Sequence, residues 1–113
     1  MNKEKFEITV LKIFIACFPD ELLQRYRPIA DFLSEYKSVT MDDIGVVLDE
    51  YLPDERKYFD AICELVNSMT SEEKETFYEP IQILVAINSR YYETPGERNL
   101  VKFKLAKIFN KEI

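Results

Sequence analysis

Acid and base chemistry near neutral pH needs a proton carrier. In a 113-residue chain without a single histidine, that role falls to carboxylates and thiols. The densest carboxylate segment is "MDDIGVVLDE", residues 41–50. Asp42 and Asp49 stand seven positions apart, two helical turns, so both project from one side of a helix and could be imagined as an acid/base pair. On the wet face of an amphipathic helix such groups are solvated, which argues against catalysis. The segment also lacks the alternating oxygen ligands of a calcium loop. Cys17 and Cys63 form no CxxC pair and sit among apolar neighbours, as buried free thiols do. Without histidine, Ser-His and Cys-His arrangements and HExxH are excluded. Gly45 and Gly96 stand alone, so no glycine-rich phosphate loop can form. We therefore expect no catalytic residues, no metal site and no cofactor: the chain is not expected to be an enzyme.

The charge layout is more informative. Residues 1–41 hold six basic and six acidic side chains, and residues 56–113 hold nine of each. The net charge of −6 therefore lies in residues 42–55, which contain Asp42, Asp43, Asp49, Glu50, Asp54 and Glu55 and no base. At about 100° per residue, Asp42, Asp43, Asp49 and Glu50 share one arc of about 120°. Val46 falls in its middle, while Ile44, Val47, Leu48, Tyr51 and Leu52 lie opposite, toward the expected core. At the far end Arg98, Lys102, Lys104, Lys107 and Lys111 run without an acid, and the last three form a stripe at i, i+3 and i+7. Concentrated carboxylates steer basic partners and repel nucleic-acid phosphate. The competing readings are that the acids face the chain's own basic C-terminal helix, or that two copies pair acidic face to basic face.

The elements that must position these groups follow from punctuation. The run "ITVLKIFIACF" (8–18) is interrupted only by Thr9 and Lys12. As an export or lipid-anchor signal it is compromised by Glu4, Glu7 and Lys12, and it is too short for the roughly 20 residues a membrane span takes. It reads better as a helix over 3–18, apolar on almost every side and so surrounded by others. A cytoplasmic protein without a membrane partner is therefore expected. Pro19 ends this helix and begins another, which Pro28 interrupts and carries to Tyr36. Thr40 with Asp43, and Thr70 with Glu73, mark capping boxes for helices over 41–52 and 71–92, and "PDERK" starts one over 54–69. Pro80 lies within the 71–92 pattern and fits either a kinked helix or two in near register. "ETPGE" (93–97) reads as a loop before a last helix over 98–111, with a strand through "VKFKL" as the alternative. "FPDELLQRY" and "LPDERKYF" echo each other weakly, as shared helix-start chemistry also would. The tyrosines fall mostly at the margins of apolar faces, where rim and contact residues both occur. Asn88 lies near the centre of an apolar arc and would need hydrogen-bond partners if buried.

These expectations describe an all-α, single-domain bundle of five or six helices packed around the apolar N-terminal helix. Small, acidic, helical and without catalytic groups, the chain is similar in kind to bacterial immunity proteins that neutralise basic nuclease toxins. The likeness is one of composition and charge, so no site residue follows from it. It implies a non-enzymatic binding protein with carboxylates turned toward a cationic, toxin-like partner. From this chain's own charge pattern the expected contact residues are Asp42, Asp43, Val46, Asp49, Glu50, Asp54 and Glu55. The alternative is a structural or regulatory helical homo-oligomer, a homodimer in its simplest form.

Overall fold

The computed structural model describes residues 2–19, 23, 27–88 and 94–111, the side chains of Arg27 and Asn88 excepted. Six α-helices and no strand occur among them: α1 (Lys3–Ala16), α2 (Arg27–Glu35), α3 (Met41–Tyr51), α4 (Glu55–Asn67), α5 (Ser71–Asn88) and α6 (Pro95–Ile108). The fold is an all-α bundle. None of these helices is long and apolar enough to cross a membrane.

α1 is the hub. The side chain of Asn2 caps it by accepting from the Lys5 amide at 2.7 Å. Val10, Leu11, Ile13, Phe14, Ile15 and Ala16 are all buried. Near-consecutive burial of this kind needs cover on every side, and α3, α4 and α5 supply it. α2 and α6 form an outer layer, α2 against α5 and α6 against both α4 and α5. Phe14 stacks on Phe32 of α2 with centroids 5.8 Å apart and meets Phe18 edge-on at 4.8 Å. Glu7, only 4% exposed, enters this interior and accepts a hydrogen bond from the Ser38 hydroxyl.

The caps set the element boundaries. Both capping boxes form: Thr40 Oγ1 accepts from the Asp43 amide while Asp43 accepts from the Thr40 amide, and Thr70 and Glu73 repeat the exchange. Hydrogen bonding of its carboxyl to Thr70, to the backbone amide foremost and to the side chain second, holds Glu73 below its usual range. α5 passes through Pro80 as one helix. Two expectations are corrected, the loop over 93–97 and the burial of Leu52, while the preferred helix through 101–105 forms. The segment 93–97 is not a loop as a whole, because α6 starts at Pro95: Thr94 is its N-cap and accepts from the Glu97 amide, and Pro95 takes the first helical position, where no N–H is needed. "VKFKL" is helical throughout. Leu52, expected in the core, is 55% exposed: its backbone angles are still helical and its N–H bonds to the Leu48 carbonyl, so the helix carries it to the edge of the buried arc and not into it. The expected helix start after Pro19, the echo at 18–26, the end of the 71–92 helix and the Asn88 side chain lie wholly or partly outside the described residues.

Candidate functional site

α3 is held at both ends. Its capping box fixes the N-terminus, and at the C-terminus the Tyr51 phenol donates to the Phe18 carbonyl at 2.9 Å. Ile44, Val47 and Tyr51 are buried between these anchors. The helix cannot roll, so the opposite arc must face water. Asp42, Val46, Asp49 and Glu50 are all exposed there, and Asp43 is half-buried at the edge.

The seven expected contact residues divide by what already holds them. Asp43 is engaged in its capping box. Asp54 caps α4 by accepting from the Lys57 amide at 3.0 Å. Glu55 lies 4.0 Å from the Lys104 ammonium of α6, the outer limit of an ion pair. Through this pair the acidic segment meets the basic helix. The ion pairs among the described residues do not include Asp42, Asp49 or Glu50. Val46 is 61% exposed.

Position along the helix separates the carboxylates further. Asp42 and Asp43 occupy the first turn of α3 and Glu55 the first turn of α4, where the positive end of the helix dipole favours acids. Asp49 and Glu50 occupy the last turn of α3, where the dipole is negative, and no base stands in that turn. They are the two acids that the isolated fold does not reward. The field they create is felt inside the protein. Burial drives the pKa of the Tyr58 phenol upward, and Glu50 pushes it further in the same direction.

Sequence reasoning missed two features of α3 beside the acidic arc. Met41 is as open as Val46. A Cβ placed on Gly45 would meet no atom within 4 Å. The spacing 41, 45, 48, 52 carried the signal, since i, i+4, i+7 and i+11 trace a second stripe along the margin of the buried arc.

The basic end is partly used by the fold. The Lys104 and Lys107 ammonium groups lie 5.2 and 5.9 Å from the Phe59 ring centroid. Lys111 lies 4.3 Å over Tyr78 and donates to Glu75 at 2.7 Å. Elsewhere, a cavity of about 300 Å³ is lined by Phe6, Thr70, Glu72, Glu73, Thr76 and Phe77, and its Thr70 and Glu73 are spent on capping. Both cysteines are free. Burial pushes the Cys17 thiol up to about 12, and its Sγ donates to the Ile13 carbonyl at 3.4 Å. Burial also raises half-buried Cys63. Thiols held protonated are poor nucleophiles. Among the described residues no group of three or more Cys, Asp and Glu side chains could hold a metal ion. Comparison of the chain with protein-family models, with curated proteins and with solved structures finds no significant match.

Proposed function

We propose that this chain is a non-enzymatic protein-binding protein that offers the outer face of α3 to a basic protein, as an immunity or inhibitor protein offers carboxylates to a cationic nuclease toxin. One observation carries the reading. Asp49 and Glu50 sit in the last turn of α3, against the helix dipole, exposed and without a compensating base in that turn. Carboxylates there weaken the free protein, and a cationic partner would turn that cost into attraction. Asp42 extends the same face, Val46 adds apolar contact, and Asp54 and Glu55 lie just beyond its end. Asp43 and Asp54 contribute field while their oxygens cap helices.

The test is calorimetric titration against a strongly basic protein encoded beside this chain's gene. Salt is raised from about 0.05 to 0.5 M, which shrinks the Debye length to a few ångströms. Affinity should fall at least tenfold over that range. The variant Asp42→Asn/Asp49→Asn/Glu50→Gln should lose binding while keeping its helical circular dichroism. Undiminished binding by this variant would overturn the reading.

A further inference from the structure

α3 and α6 carry exposed surfaces of opposite charge. Asp42, Gly45, Val46 and Asp49 stand at i, i+3, i+4 and i+7 on α3, the four positions that form a hole for an incoming side chain. Gly45 deepens that hole, since nothing of this chain occupies the space above it. Its sides are one apolar residue and two exposed carboxylates. On α6, Val101, Leu105 and Ile108 are buried, which turns Phe103 outward, 51% exposed. Lys102 precedes it, Lys107 follows one turn later, and both are exposed. Phe103 is thus an aromatic knob between two cations, and the α3 hole is an apolar-floored notch between two anions.

Both helices pack on α4, and Glu55 of α4, at the end of the acidic segment, approaches Lys104 of α6 at 4.0 Å. A surface that is negative on one side of a line and positive on the other complements itself under a two-fold rotation. We infer that a second copy of this chain docks here: α6 of each copy lies on α3 of the other, Phe103 seated over Gly45, with Lys102 and Lys107 opposite Asp42, Asp49 and Glu50. This inference goes beyond the proposed function and does not rest on it. It assigns a second surface, and it makes self-pairing and capture of a basic protein mutually exclusive, because both need the same carboxylates.

Sedimentation velocity of the purified chain over a concentration series tests it, with no other protein present. At about 0.05 M salt the weight-average mass should climb toward that of two chains, and it should fall back near 0.5 M. Two charge-reversed variants are then compared, each checked for native helicity. Asp42→Lys/Asp49→Lys has two basic faces, and Lys102→Glu/Lys107→Glu has two acidic ones. Each alone should be monomeric, and an equimolar mixture should pair, because both contacts of the mixed dimer are again of opposite sign. A wild-type chain that stays monomeric at every concentration overturns the inference. So do variants that dimerise as well as wild type, and so does a mixture that fails to pair.

Discussion

The phenolic hydroxyl of Tyr51 donates to the main-chain carbonyl of Phe18 at 2.9 Å, joining the last turn of α3 to the chain just beyond α1. Tyr58 makes the companion bond from α4 to the Lys12 carbonyl, also at 2.9 Å, and the two rings meet edge-on with centroids 5.5 Å apart. The pair ties two helices to the hub by polar bonds within an apolar setting, where an unmet carbonyl is expensive. It also sets the rotation of α3. While Tyr51 points inward, Asp49 and Glu50 cannot.

Removing the Tyr51 hydroxyl should therefore be costly although the ring remains. Tyr51→Phe is expected to lower unfolding free energy by about 1–2 kcal/mol, the cost of stripping one partner from a buried hydrogen bond. Urea denaturation with an unchanged m-value is the measurement. A variant as stable as wild type would show that the bond contributes nothing and that ring packing alone sets the rotation.

The carboxylates of α3 should differ in sign of effect according to their place on the helix. Neutralising Asp49 and Glu50 to Asn and Gln, at the negative end, should stabilise the free protein by about 0.3–1 kcal/mol each at low salt. Neutralising Asp42, in the first turn, should destabilise it by a similar amount. Both effects should shrink as salt rises. Thermal melts at two ionic strengths decide it. If Asp49→Asn/Glu50→Gln melts lower than wild type, those acids have favourable contacts within the chain, and the electrostatic case for a partner fails.

Gly45 offers a third check. It lies in the interior of α3, no glycine has positive φ, and an added methyl would meet open space. Nothing in the free chain requires glycine there. Gly45→Ala should raise stability by about 0.5–1 kcal/mol through helix propensity alone. The same methyl partly fills the hole on α3, so any self-association of the chain should weaken as stability rises. Opposite movement of the two readings separates a docking role from a structural one.

Periodicity and caps carried the fold, because they act within one turn of chain. The hub helix, both capping boxes and the buried Ile44, Val47 and Tyr51 could be read without coordinates. Contacts between distant residues could not. Glu7 looks like any exposed acid near a helix start, and only the approach of Ser38, thirty-one residues later, explains its burial. The acidic arc was visible in the spacing of its residues. Which carboxylates were already occupied depended on cap geometry at Asp43 and Asp54 and on Lys104 reaching Glu55 across two helices. Leu52 was misplaced because it lies at the edge of the apolar arc, where a helical wheel does not separate a buried position from an open one.

Stability should also fall in alkali, for reasons set by burial. The folded chain keeps the Cys17 thiol protonated up to about 12, against an ordinary value of 9.0, chiefly because a thiolate at that buried site would lose its solvation. The Tyr58 phenol is raised in the same direction by burial and by Glu50. When the folded pKa lies above the unfolded one, the unfolded chain releases its proton first as pH rises. The Cys17 contribution is thus fully present below pH 9.0 and is lost progressively toward pH 12. Cys17→Ala should flatten that decline, at the cost of a small cavity that lowers stability at every pH. Thiol labelling at neutral pH gives an independent reading. Cys63, half-buried, should react first, and Cys17 only as fast as the protein unfolds. Equal labelling rates for the two thiols in the native protein would mean that the end of α1 opens locally, and the alkaline decline should then be correspondingly shallow.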